Sequence, residues 1–201
     1  MSEALNLRGV QVFPGFLDRA AQQEIVNDIR EVTHVAPLVR PVTSGGKAMS
    51  VRMTAAGQFG WSSSVSGYQY APRHPNGTNW PDIPESVLRI WAQMAPNARM
   101  PECCLVNWYD PDARMGMHQD RDETDFAQPV VSISLGDDGL FRVGSVERGG
   151  QTASLWLRSG DVAVMGGDAR LVHHGVDRIK AGTSTILANP GRINLTLRVV
   201  T

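Results

Sequence analysis

The run Arg192-Ile193-Asn194-Leu195-Thr196-Leu197-Arg198 alternates without a break: polar residues stand at 192, 194, 196 and 198, apolar ones between them. Such a period of two marks a β-strand with one apolar and one polar face. Taken alone it reads as an edge strand whose polar side is solvated. Upstream, Asn107-Trp108-Tyr109 repeats the i, i+2 polarity after the apolar Leu105 and Val106. If both strands line one barrel, their polar sides form a pocket suited to an anionic ligand. Between and around them short strand-like runs recur at 103–109, 115–119, 130–135, 140–144, 153–157, 161–165, 170–174 and 193–200. Eight short strands separated by turn signals predict a sandwich or jelly roll.

The first hundred residues differ in texture. Residues 17–33 predict a helix, with Asp18 as N-cap and Ala21, Ile25, Ile29 and Val32 on one stripe. Residues 84–95 predict a second, with Pro84 in the first turn, Val87, Leu88, Trp91 and Met94 as the apolar face, and Pro96 as the stop. The polar, Gly-rich stretch 41–80 between them reads as hairpins and loops. The chain of 201 residues, 42% hydrophobic and 19% charged, is long enough to bury a core without disulfides. A net charge of −1 excludes a global field that would draw it to a polyanion. Seventeen of the 19 basic residues are arginines, the better partner for bidentate carboxylate or phosphate contacts. Cys103 and Cys104 are adjacent, so a bond between them would be strained. With no basic n-region after Met1 and no long apolar span, the expectation is a cytoplasmic protein with reduced thiols and no membrane contact.

His118-Gln-Asp120 carries the first chemical signal. Residues i and i+2 on a strand project to one face, so imidazole and carboxylate can share a metal ion. His174, 56 residues on, supplies a third donor from what reads as a strand end before a turn. Two histidines and one carboxylate leave open positions, as in non-heme Fe(II) oxygenases. Taken singly, each histidine is as well explained as a hydrogen-bonded packing residue. His173 would point the other way.

The blocks and their order resemble the AlkB family of Fe(II)/2-oxoglutarate-dependent dioxygenases, of the bacterial type. The resemblance is carried by Cys104-Leu-Val-Asn107-Trp-Tyr109 through His118-Gln-Asp120-Arg-Asp122-Glu123, by Pro129–Gly136, Ser159-Gly-Asp161, Gly166-Gly167, Arg170–Gly175 and Arg192–Arg198. It continues upstream through Met49–Thr54, Phe59-Gly-Trp61 and Gly67-Tyr68-Gln-Tyr70. It implies an α+β, mainly β protein: a double-stranded β-helix (jelly roll) core over 101–201, with N-terminal helices and a nucleotide-recognition lid at about 41–80 within 1–100, one catalytic domain overall. It implies that His118, Asp120 and His174 hold Fe(II). Arg198 would take the distal carboxylate of 2-oxoglutarate, with Arg192, Asn194, Asn107 and Tyr109 adding hydrogen bonds. The implied reaction consumes O2, releases succinate and CO2, and removes N-methyl groups from 1-methyladenine- and 3-methylcytosine-type bases as formaldehyde. The implied partner is alkylated single-stranded DNA, with RNA as the other candidate, and the expected state is a monomer.

On the substrate side, Asp122 and Glu123 would attract the cationic base; a solvated acidic loop explains them as well. Trp61, Tyr68 and Tyr70 offer stacking faces, Trp61 first and together with His174, where ordinary packing is the plain alternative. Arg148 would meet a phosphate or the lesion, or stand solvated. Two departures from the family matter. Ser62–Gly67 lacks polar or basic bulk, and Met165 stands where tryptophan is common. Two competing readings remain: an oxygenase of modified RNA or tRNA, and a jelly-roll metal-binding module without catalysis.

Overall fold

A computed structural model describes residues 3–43, 45–64 and 67–201. Val65 and Ser66, within the Ser62–Gly67 departure, lie outside the described residues, as do Met1 and Ser2. Among the described residues the elements run β1 (Leu5–Leu7), β2 (Val10–Phe13), α1 (Arg19–Val35), β3 (Arg52–Gly57), β4 (Gly60–Ser64), β5 (Gly67–Ala71), α2 (Glu85–Met94), β6 (Cys103–Tyr109), β7 (Met115–His118), β8 (Val130–Gly136), β9 (Asp138–Val143), β10 (Ala153–Leu157), β11 (Val162–Met165), β12 (His174–Lys180) and β13 (Arg192–Arg198).

The strands form a seven-stranded antiparallel sheet, β1-β2-β11-β8-β13-β6-β3, a four-stranded sheet, β10-β9-β12-β7, and the hairpin β4-β5. The two larger sheets make the jelly roll. One face of the large sheet is apolar: Cys104 and Val106 of β6, Val131, Ile133 and Leu135 of β8, and Ile193, Leu195 and Leu197 of β13 pack with Ile25, Val26 and Ile29 of α1 and Trp91 of α2. Each aliphatic side chain so enclosed contributes about 1.5–3 kcal/mol. The helices form where expected. Asp18 accepts from the Ala21 N–H at 2.8 Å and caps α1, and Pro84 precedes the first turn of α2.

Two expectations fail on topology. Strand β13 is not an edge but lies between β8 and β6, with both faces covered. Its polar side faces the small sheet, not water. The expected strand at 170–174 is a 3-10 turn (Gly167–Ala169) followed by loop, and His174 opens β12 rather than ending a strand. The turn follows from Gly167, whose φ of 54° lies in the left-handed region. The segment 41–80 holds the expected hairpin, β4-β5, and also β3, which closes one edge of the large sheet against β6. Among the described residues no helix is long and apolar enough to cross a membrane.

Candidate metal and co-substrate site

A cavity of about 550 Å³ opens between the two sheets. Its floor is the polar side of the large sheet. Register places Arg192 opposite Tyr109 and Asn194 opposite both Asn107 and Ser134, so these side chains share one face. Its roof is the small sheet, where His174 of β12 pairs directly with His118 of β7. β12 approaches β7 so closely that a Cβ at Gly175 would lie 2.6 Å from the Met115 carbonyl oxygen. Only glycine permits that approach.

Two imidazoles and a carboxylate converge here. The donor atoms of His118, Asp120 and His174 all lie within 4.8 Å of one another, and no other such group occurs among the described residues. Each imidazole is oriented by backbone: His118 Nδ1 sits 2.9 Å from the Gly116 carbonyl and His174 Nδ1 3.1 Å from that of Val172. A carbonyl only accepts, so Nδ1 carries the proton and the Nε2 lone pair is free. Those Nε2 atoms stand 3.7 and 3.8 Å from the Asp120 carboxylate. Burial pushes the His174 pKa down to about 4, against the pull of Asp120. Burial would raise the Asp120 carboxyl, but Arg198 and then both histidines hold it well below the usual range. Two imidazole nitrogens beside an ionised carboxylate are a donor set that suits divalent iron.

The shift of His174 has a consequence for stability. The folded value lies below the unfolded one, so below about pH 6.5 the unfolded chain takes up a proton that the fold refuses. The metal-free protein should therefore lose stability as pH falls from about 6.5 to about 4, by at most about 1.4 kcal/mol per unit from this group. Denaturant titrations in chelator at several pH values check this, and a flat profile there would refute it.

A second set of charges braces the first. Arg198 donates to Asp120 Oδ2 from Nη2 at 2.8 Å and from Nε at 3.2 Å. Burial would lower the Arg198 pKa, but Asp120, Tyr70 and Glu123 raise it well above the ordinary value. Glu123 is enclosed between Arg170 at 3.0 Å and Arg198 at 3.3 Å, and also accepts from the Tyr70 hydroxyl. Arg170 donates to the Asp120 carbonyl at 2.7 Å as well, pinning the loop after β7. Glu123 is thus neutralised and enclosed, and is no surface attractor for a cationic base. Asp122, by contrast, is exposed at the mouth and accepts from the Trp61 indole at 2.9 Å. Trp61 stacks on Tyr68 with centroids 5.2 Å apart. His174 lines the same cavity but is buried; its ring lies 4.5 Å from that of His118, whose side chain is 40% exposed. Arg148 stands exposed at the rim.

Arg192 tells a different story from Arg198. It is 1% exposed, and its terminal nitrogens reach the Leu157 and Asp137 carbonyls and Ser134 Oγ. No carboxylate pairs with it among the described residues, and burial lowers its pKa. A buried guanidinium held only by neutral groups is a charge left uncompensated within the fold. Asn107 Oδ1 and Arg198 Nη1 are buried on the same wall without a protein partner. Asn194 is held by Ser132 Oγ at 2.7 Å. Sequence reading missed Arg170, Ser132 and Ser134; the i, i+2 polarity of Ser132-Ile-Ser134 was the available signal. Met165, at 2% exposure, is a buried piece of the cavity wall.

Comparison with known proteins agrees with this geometry. The model of the 2OG-Fe(II) oxygenase superfamily matches residues 9–198. An alpha-ketoglutarate-dependent dioxygenase AlkB homolog of Caulobacter vibrioides is 50% identical over 94% of this chain and 87% of its own. The alpha-ketoglutarate-dependent dioxygenase AlkB of Escherichia coli is 38% identical over 94% and 89%. Among solved structures, that of OsALKBH1 superposes with a TM-score of 0.81 at 30% identity, covering 98% of this chain and 99% of that one. With that match, and with two imidazoles and a carboxylate converging near a buried guanidinium that has no counter-charge among the described residues, the chain belongs to the AlkB dioxygenases of the 2OG-Fe(II) oxygenase superfamily, enzymes that use Fe(II), 2-oxoglutarate and O2.

Proposed function

We propose that the enzyme removes N-alkyl groups oxidatively from bases of the 1-methyladenine and 3-methylcytosine type in DNA, single strands first. The observation that carries this reading is the Trp61–Asp122 pair at the mouth of the cavity. It joins an aromatic face to an ionised carboxylate, the pairing that a flat, cationic base requires. In this reading His118, Asp120 and His174 hold Fe(II), and Arg198 keeps the Asp120 carboxylate turned toward it. Arg192, with Tyr109 and Asn194 beside it, takes the distal carboxylate of 2-oxoglutarate; Arg198 is already engaged by Asp120 and Glu123. The bound iron and co-substrate supply the oxidising power, with succinate and CO2 as products. Asp122 draws the charged base inward, into the cavity that Trp61 and the partly exposed His118 both line. The apolar walls of Phe141, Leu157 and Met165 keep water from the reacting methyl group. Once hydroxylated, that methyl leaves as formaldehyde, and the neutral base loses its attraction to Asp122.

Trp61→Ala tests the reading. An aromatic platform is worth about 1–3 kcal/mol per base, so formaldehyde release from methylated single-stranded oligonucleotides should fall about ten-fold or more. Succinate formed without oligonucleotide should change little, because Trp61 contacts none of the proposed ligands. If both products fall together, Trp61 is structural and the platform is wrongly assigned. Running matched DNA and RNA oligonucleotides in the same assay decides the nucleic acid. Duplex should react more slowly than single strand, since extruding the base costs a few kcal/mol.

A further inference from the structure

The β4-β5 hairpin pairs with neither larger sheet among the described residues, yet it carries the whole aromatic platform. Its cavity face holds the opposed pair Trp61·Tyr70, tied to Asp122 and Glu123. The next pair, Gly60·Ala71, closes the base of the hairpin and faces the other way, since successive strand residues alternate. One indole clamps that pair from behind. A Cβ at Gly60 would run into the ring of Trp80, so the ring fills the place of a side chain there. The Trp80 Nε1–H donates to the Ala71 carbonyl at 2.8 Å. The chain itself delivers the indole. After β5 it turns at Asn76-Gly77, where Gly77 has a φ of 91°, and the bridge Arg73·Asn79 returns it toward the strand it has just left. His74 braces the ring from the side, T-shaped at 5.1 Å between centroids. Its Nε2 donates to the Pro37 carbonyl at 2.9 Å, and its Nδ1 accepts from the Asn76 N–H at 3.2 Å. Trp80 and His74 are both buried, and neither lines the cavity.

We infer that Trp80 is a positioning residue for base recognition: it fixes the tilt of the β4-β5 hairpin and so the gap that Trp61 leaves for the alkylated base. The inference rests on the assignment of Trp61 as the stacking platform. A two-stranded hairpin by itself is marginal in water and takes its orientation from what it packs on. This hairpin is held at three places. The amides of Gln58 and Phe59, just before β4, donate to the Glu102 carbonyl at 2.8 and 3.1 Å. Trp61 and Tyr70 reach the loop after β7, and Trp80 closes the base. The first of these is a pivot, and the second bonds groups at the mouth that the base itself must approach. The indole at the base is the remaining stop. Without it the hairpin turns about Gln58 and Phe59, the gap beneath Trp61 widens, and a stacked base loses contact. The residues proposed for iron and 2-oxoglutarate lie on other strands and loops, so Trp80 acts on the base and not on them.

The test is the KM for a methylated single-stranded oligonucleotide, read from formaldehyde release by the full chain. Trp80→Ala should raise it about ten-fold or more, the share of recognition that stacking carries. Trp80→Phe keeps a ring but not the N–H, and should raise it about 2- to 10-fold, the range a neutral hydrogen bond supports. Gly60→Ala pushes the hairpin off an intact Trp80 and should act as Trp80→Ala does. In all three, succinate formed without oligonucleotide and the requirement for 2-oxoglutarate should stay unchanged. Hydrogen exchange should quicken over 60–71 and not over β8 or β13. The double variant of Trp61→Ala with Trp80→Ala should lose no more than Trp61→Ala alone, because a clamp that acts through the platform has nothing left to place. If Trp80→Ala does not fold, Trp80→Phe and Gly60→Ala carry the test. An unchanged KM in the folded variants, a matching rise in the requirement for 2-oxoglutarate, or losses that multiply in the double variant would overturn the inference and leave the platform standing. Full formaldehyde release by Trp61→Ala would overturn the platform and the inference with it.

Discussion

Asp120→Ala should lower succinate and formaldehyde formation by more than about 100-fold even at saturating iron and 2-oxoglutarate. Changes to groups that only support a ligand already cost about 10–100-fold, and Asp120 is placed as a ligand itself. It also has a second task. Arg198 is enclosed, and Asp120 is the carboxylate it holds most closely, at 2.8 Å. Removing one partner of a buried ion pair costs about 3–5 kcal/mol. The alanine variant should therefore unfold at lower denaturant, and the loss of activity must be read on protein shown to be folded. Asp120→Asn separates the two effects. The amide oxygen can still accept from Arg198, yet the group carries no charge for a metal, so stability should recover more than activity does. Measured binding of Fe(II) to the asparagine variant completes the test. Affinity and turnover near those of the unaltered protein would remove Asp120 from the metal site.

Arg192→Lys should raise the concentration of 2-oxoglutarate needed for half-maximal rate by about 10- to 100-fold. Lysine keeps the charge but lacks the fork that binds a carboxylate twice, and one charged hydrogen bond is worth about 1.5–3 kcal/mol. The maximal rate should fall less than the affinity, because the distal carboxylate takes no part in bond breaking. The family resemblance implies Arg198 for this role. We propose Arg192 instead, because the Arg198 guanidinium is held by Asp120 and Glu123 while Arg192 is buried without a counter-charge among the described residues. The pair of variants therefore discriminates. Arg198→Lys should weaken iron binding first, and Arg192→Lys the use of 2-oxoglutarate. Reversal of that pattern in a titration of each ligand would restore the earlier assignment.

Much of the molecule was legible before any coordinates. The alternation in Arg192–Arg198, the capping of α1 by Asp18 and the His118-Gln-Asp120 triplet are all local patterns, while His174 was joined to that triplet by the order of the family's blocks. Strand periodicity decides which side chains share a face, and the side chain of a cap bonds an amide only three residues away. These relations are written along the chain, so the sequence by itself determined the strand-rich core, its two helices and the donor set. What it left open was every choice between partners distant in sequence. Whether the polar side of β13 meets water or a cavity depends on β8 and β6 flanking it. Which arginine is free for an anion depends on Glu123 reaching Arg198 and Arg170. Which histidine shows its face depends on Phe141 and His118 covering His174. Charge pairing and burial are properties of neighbourhoods, and neighbours 50 to 80 residues apart, such as Asp120 with Arg170 and Arg198, are brought together only by the closing of the sheets. Only the tertiary structure could therefore assign the roles within a set of residues that the sequence had already named.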